Sequence, residues 1–333
     1  MKYNEIIKEL KSGVFRPIYF LMGEEPYNID QITRYIEQHA LPEDKQSFNQ
    51  SVLYGADTDV NTIIGEAKRY PMMADRVVIV VREAQKLRDI ESLASYVDQP
   101  QPSTVLVVAY KYKKLDKRKK LYKLLSNQSV IYESKKIYDN HVPAWVGDAL
   151  RANGRDSNPK ARMLIAESLG TDLGRIDQEL QKLELVLNKG QAVDEDVVEQ
   201  HIGISKDYNN FELNNALGEM DFAKAIKIQQ YFAANPKDNP LVVTVSTLFG
   251  FFSKLMIMHQ AKDKSPRALA SLLGVNPFFI KDFQTAAKHY NLKKLGRIIS
   301  YIRECDTRSK GINNSSVPDG ELLRELIFKI VYV

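Results

Sequence analysis

"RPIYFLMGEEPYNID", residues 16–30, joins an apolar run at 18–22 to a helix-like pattern through one glycine, Gly23. A nucleotide-binding α/β fold puts its phosphate loop at such a junction. That loop needs G-x-x-x-x-G-K-S/T. Its glycines let backbone N–H groups wrap the phosphates, its lysine neutralises them, and its hydroxyl holds magnesium. Counted from Gly23, the second glycine falls on Asn28, the lysine on Ile29 and the hydroxyl on Asp30. Pro26 removes one more backbone donor. Glu24, Glu25 and Asp30 add negative charge, and like charges a few Å apart repel by about 1–4 kcal/mol. The stretch reads as a phosphate-loop architecture without its chemistry, or as any strand–turn–helix.

The same alternation runs on through residue 139. Strands are expected in "PIYFLM", "SFNQSVLYG", "RVVIVV", "STVLVVAY" and "SVIYES". The wholly apolar cores at 77–81 and 105–108 predict strands buried on both faces, as in a parallel sheet. The intervening segments are long enough for crossover helices, so residues 1–139 read as an α/β domain. "RVVIVVREAQKL" has the look of the strand that carries magnesium-binding acids in phosphate-loop ATPases. That strand should end in Asp-Glu, and here it ends in Arg82-Glu83. An arginine at the ligand position repels the metal.

A chain of 333 residues suggests two or three domains. With 44% hydrophobic and 27% charged residues it has a globular composition. Net charge +5 permits nucleic-acid contact without demanding it. The start, "MKYNEIIKELKSG", has no apolar signal core, and the sole cysteine, Cys305, excludes a disulfide framework and a cysteine zinc cluster. A cytoplasmic protein with no membrane segment is expected. The most apolar window, "LVVTVSTLFGFFSKLMIMH", fits a buried helix. The five histidines show no H-E-x-x-H spacing, and no G-x-S-x-G elbow exists. No catalytic residue, metal site or cofactor is expected.

From about residue 140 the strand signal stops. "PAWVGDALRANG", "PKARMLIAESLG", "DLGRIDQELQKLELVLNKG" and "QAVDEDVVEQHIG" predict a small helical domain over 140–206. A third region, 207–333, reads as helical at 220–234, 240–261, 266–273, 277–289, 292–304 and 320–331. Within it, "RALASLLGVNPFFIKDFQTAAKHY", residues 267–290, has the outline of a helix-turn-helix. Its second helix opens with Pro277, Phe278, Phe279 and Ile280, which suit packing better than base contact. "SLGTDLGRIDQELQKLE", residues 168–184, resembles the lid helix that follows the ATPase core in AAA+ proteins, with Arg175 at the sensor position. With no phosphate to sense, helix-start packing or a salt bridge is the expected role.

Two surface candidates remain. "YKYKKLDKRKKLYKLL", residues 110–125, carries Lys111, Lys113, Lys114, Lys117 and Arg118. It is either a solvated helix face or a contact for a phosphate backbone or acidic partner. "AKRYPMMADRVVIV", residues 67–80, puts Pro71, Met72 and Met73 just before a buried strand. The pair is either core or an exposed, adaptable binding element.

Taken together, "PIYFLMGEEPYNID", "YPMMADRVVIVVREAQKL", "KKLDKRKKLYKLL", "TDLGRIDQELQKLEL", "LASLLGVNPFFIKDFQTAA" and "ECDTRSKG" resemble, in order and spacing, the delta subunits of the bacterial DNA polymerase III clamp loader. The resemblance spans the chain. It implies a degenerate, clamp-binding AAA+-like α/β domain (1–139) with a parallel sheet, a small helical lid (140–206) and a helical collar for oligomerisation (207–333). It also implies a role in DNA replication as a non-catalytic subunit of a nucleotidyltransferase assembly. The partners implied are the sliding clamp (beta), the tau/gamma motor subunits, delta-prime and primed DNA. The motor subunit is excluded by the missing phosphate loop and four-cysteine module, and the ATPase-stimulating Ser-Arg-Cys motif is absent. In this family a hydrophobic pair before the third strand, typically Leu-Phe, wedges into the clamp. Met72-Met73 keeps the apolar bulk and loses the aromatic ring. An active AAA+ ATPase and a helix-turn-helix regulator are the rival readings.

Overall fold

Three buried apolar runs, flanked by a half-buried strand and an alternating one, become one parallel sheet. In the computed structural model, which describes residues 1–312 and 316–333, the chain divides into two units, Met1–Ile137 and Tyr138–Val333. The first holds β1 (Ile18–Gly23), β2 (Gln50–Tyr54), β3 (Val77–Arg82), β4 (Thr104–Lys111) and β5 (Val130–Ser134). Their order is β2-β3-β4-β1-β5, and every neighbouring pair is parallel.

Period-two alternation sends Ile18, Phe20, Ile79, Val81, Leu106 and Val108 to one face, and Tyr19, Leu21, Val78, Val80, Val105 and Val107 to the other. Helices α1 (Tyr3–Lys11) and α2 (Pro26–His39) cover the second face with Ile6, Leu10, Ile29, Ile32 and Ile36. The next helix, α3 (Glu43–Asn49), leads into β2. The first face is covered from α4 (Val60–Ala67), α5 (Ala94–Asp98) and α6 (Lys120–Gln128) by Val60, Ile63, Val97, Leu121 and Leu125.

One strand is shorter than its sequence predicts. "SFNQSVLYG" reads as a strand from residue 47, yet residues 47–49 are the last turn of α3 and pairing starts at Gln50. β2 is an edge strand with no fully buried residue, so burial does not enforce extension along the whole stretch. Locally, the Asn49 side chain donates to the Lys45 carbonyl (3.0 Å) and closes the helix.

The second unit is helical, as its sequence implies. It begins with α7 (Val142–Ala152), α8 (Pro159–Leu169), α9 (Leu173–Val186) and α10 (Glu195–Ile202). Val146, Leu150, Ile165, Ile176, Leu183 and Val198 are fully buried there. Arg155 is also buried. It bonds Glu184 (2.6 Å) and the carbonyls of Leu187, Asn188 and Gln191, which fixes the chain after α9.

A separate apolar core organises α11 (Asn210–Gly218), α12 (Phe222–Ala234), α13 (Leu241–Gln260), α14 (Pro266–Leu273), α15 (Ile280–His289), α16 (Leu292–Ser309) and α17 (Asp319–Val331). Among the described residues α13 is the one helix long and apolar enough to cross a membrane. Leu241, Val245, Leu248, Phe252, Leu255 and Met258 lie in that core. In the helix-turn-helix outline Gly274 ends α14 at φ +63, and Phe279, Ile280, Phe283 and Ala286 of the second helix are buried. Phe279 packs edge-on to Phe211 (5.1 Å), whereas Pro277 and Phe278 are exposed, so only half of the opening expected to pack is core, and its exposed half is apolar.

Gly23 is the tightest point of the first unit. Its φ is +129, and a Cβ there would lie 2.0 Å from the Ser134 carbonyl oxygen. Gly23→Ala should therefore lower stability by at least about 2 kcal/mol, through strain and displacement of β5. Urea unfolding of the full chain checks this. An unchanged midpoint would mean that the β1–β5 approach gives way freely.

Candidate functional site

The C-terminal ends of β1, β3 and β4 are where a phosphate-loop fold does its chemistry, and here they are filled. β1 ends at Gly23 and α2 starts at Pro26, capped by Glu25, whose carboxylate accepts from the Tyr27 N–H (3.0 Å). The N–H groups of Gly23 and Glu24 are spent on the carbonyls of Lys113 (3.0 Å) and Ser134 (2.9 Å). Asn28, Ile29 and Asp30 are not in a loop at all but in the first turns of α2. Ile29, at the lysine position, is 0% exposed and points into the core beneath the sheet.

The carboxylates around this point are neutralised from the segment after β4. Lys111 pairs with Asp30 (2.6 Å), and Lys114 pairs with both Glu24 and Glu133 (3.1 Å each). Glu24 and Glu133 hold the Lys114 ammonium above its ordinary pKa. At the end of β3, Arg82 pairs with Glu37 of α2 (2.5 Å), which raises the arginine's already high pKa. A cation thus occupies the magnesium-ligand position. The backbone donors that would cradle a phosphate are spent on carbonyls, and the lysines nearby are paired with carboxylates. Among the described residues no cluster of His, Cys, Asp or Glu is arranged to hold a metal.

The basic stretch is largely engaged in these pairs. Lys113 donates to the Gln85 carbonyl (3.3 Å), Lys117 lies 3.9 Å from Glu133, and Arg118 bonds Asp116 (2.8 Å). Lys111, Lys113, Lys114, Lys117 and Arg118 each already have an acceptor in this unit. Exposed ion pairs are worth only about 0–1 kcal/mol, so a stronger polyanion could still recruit them. In the second unit Arg175 is exposed, and among the described residues its side chain forms no ion pair. Only its backbone N–H is engaged, by the cap Asp172 (3.0 Å). Of the two roles expected of it, the salt bridge is not formed among the described residues.

The methionine pair lies at the other edge of the sheet, where the chain enters β3. Between α4 and β3 it has no regular structure, and Tyr70, Met72 (58%) and Met73 (89%) are exposed. Of the two sequence readings, the structure selects the exposed one. The segment is nonetheless held at both ends. Arg69 pairs with Glu66 (2.6 Å) and donates to the Phe48 carbonyl (3.3 Å), while Arg76 lies over the Phe15 ring (5.0 Å). In the middle, the Met72 N–H donates to Asn49 Oδ1 (2.6 Å) and the Met72 carbonyl accepts from Asn49 Nδ2 (2.9 Å). Met73 follows in the left-handed region, φ +53. Sequence reasoning missed Asn49. An asparagine before a short strand reads as a local turn residue, and nothing in the sequence points to a partner at Met72.

Comparison with known proteins agrees with this geometry. A family model described as DNA polymerase III, delta subunit, matches residues 19–135, and one described as that subunit's C-terminal domain matches residues 207–327. DNA polymerase III subunit delta of Bacillus subtilis (strain 168) is 24% identical over 97% of this chain and 94% of its own length. Among solved structures, the Bacillus subtilis DNA clamp loader delta protein is similar in fold, with TM-score 0.55 and 22% identity over 99% of this chain and 100% of that one. A Thermotoga maritima RuvB structure is more remote, with TM-score 0.36 and 13% identity over 85% of this chain and 83% of its own.

Met72 and Met73 contribute little to the core. Replacing both with Ala should therefore shift Tm by less than about 2 °C, since exposed substitutions usually stay within about 0.5 kcal/mol. Thermal melting of the double variant checks this, and a fall of ten degrees would mean that the pair is structural.

Proposed function

Because the chain belongs to the DNA polymerase III delta-subunit family and is thereby a clamp-loader component of bacterial DNA replication, we propose that it binds the sliding clamp through Pro71, Met72 and Met73. By that binding it opens the ring for loading onto primed DNA, with no ATPase activity of its own. The observation that carries the reading is Met73, an almost fully exposed apolar side chain on a turn held by a buried residue. A large apolar group presented in this way lacks a partner within its own unit, and methionine adapts well to a groove.

The energetics are those of a wedge. Binding shifts the clamp towards its open form only by as much as the pair fits that form better than the closed one. Neighbouring motor subunits (tau/gamma), in a ring shared with delta-prime, would supply the ATP-driven control, since the residues at the end of β1 oppose nucleotide binding. Glu24 and Asp30 flank the end of β1 as carboxylates paired with Lys114 and Lys111, and Ile29 replaces the lysine. We assign residues 140–206 as the lid and 207–333 as the collar that joins the ring. The separate apolar core of α11–α17 supports that division. Burial of Phe279 and Ile280 speaks against a helix-turn-helix regulator.

Burying a methionine side chain contributes about 1.5–3 kcal/mol, and ordering it costs up to about 2 kcal/mol. Replacing both Met72 and Met73 with Ala should remove about 2–4 kcal/mol of clamp binding, more than tenfold in Kd at about 1.4 kcal/mol per decade. Met73, the more exposed, should account for most of it. Surface plasmon resonance with the source cell's sliding clamp tests this. Unchanged affinity in the folded double variant would refute the wedge.

A further inference from the structure

We propose that the Asn49 carboxamide is the positioning residue of the clamp-binding turn, holding Met72 and Met73 in the conformation presented to the clamp. The inference rests on the wedge reading above. Asn49 closes α3, 23 residues before its partner, and is only 2% exposed. Its amide has one arrangement that satisfies every contact. The oxygen must face the Met72 N–H, and the nitrogen must face two carbonyls, those of Met72 (2.9 Å) and Lys45 (3.0 Å). The bond to Lys45 locks the amide to its own helix. The two bonds to Met72 then grip both polar groups of one backbone residue, as a neighbouring strand would. Asn49 thus gives an exposed segment a buried anchor.

The anchor matters because of the next residue. Met73 has φ +53. Non-glycine residues keep that conformation only where the surroundings enforce it. Ala74 packs against the core beneath the sheet, so the chain is fixed immediately after the turn as well. Between these two points the left-handed residue projects its side chain into solvent. Released from Asn49, Met73 would return to ordinary backbone conformations and the pair would be presented only part of the time. Apparent affinity falls in proportion to that lost fraction.

Two full-chain variants test this, Asn49→Ala, which removes every contact, and Asn49→Asp. The second keeps the acceptor for the Met72 N–H but turns a carboxylate oxygen towards two carbonyls. Limited trypsin cleavage at Lys68 and Arg69 reads the turn, with cleavage at 117–120 as the control for general loosening. Both variants should be cut roughly fivefold faster at 68–69 with the control unchanged, because only the local opening is cheaper. Both should bind the sliding clamp about three- to tenfold more weakly. Unchanged cleavage, equal acceleration at both places, or faster cleavage with wild-type clamp affinity would overturn the proposal. If the Met72, Met73 double variant itself keeps wild-type clamp affinity, the wedge reading fails. The cleavage ratio would then still decide whether Asn49 holds the turn.

Discussion

Everything at the C-terminal edge of the sheet follows from how closely β1 is gripped between β4 and β5. Gly23 is in register with Lys111 on one side and Ser134 on the other, with no room for a Cβ against the Ser134 carbonyl. At that distance the N–H groups of Gly23 and Glu24, the last of the strand and the first beyond it, pair with backbone carbonyls. The chain then has only two residues in which to turn before α2 begins. The positions that would cradle phosphate become helix, and helical periodicity drives Ile29 into the core. Lys111 and Lys114 are the counter-ions that make the resulting carboxylates tolerable.

The opposite edge is built on a different principle. There the chain enters β3 from a segment whose apolar side chains are left out of the core but whose backbone is tied to the core by one buried amide. A partner meeting this edge finds side chains whose conformational cost has been partly met in advance, which is how an interface of few residues gains affinity. One end of the strands thus lacks the residues that would cradle a phosphate, and the other presents an exposed apolar pair on a fixed backbone.

Most of the fold was legible because burial on both faces writes continuous apolar runs, and the helices of the second unit carry clear caps and stripes. The exception is instructive. β2 lies at the sheet edge, where neither burial nor alternation marks the boundary with α3, and the sequence places the start of the strand three residues too early. The missing phosphate loop could be read by counting from Gly23. The exposure of Met72 and Met73 is expected only through the family resemblance, since composition alone allows a buried pair. Asn49 was invisible because its partner is distant in sequence and the bond is to backbone, which carries no residue type. Arg175 shows the converse, since the salt bridge that its position suggests is not made among the described residues.

Hydrogen–deuterium exchange on the full chain tests the central claim most directly, that partner binding at the entry to β3 has replaced nucleotide binding at the end of β1. It would be followed alone, with the sliding clamp and with magnesium-ATP. Slower exchange over residues 68–76 on adding clamp, and no change over 18–34 on adding magnesium-ATP, is the expected result. Protection by ATP around residues 23–30, or a clamp footprint that leaves 68–76 untouched, would contradict it.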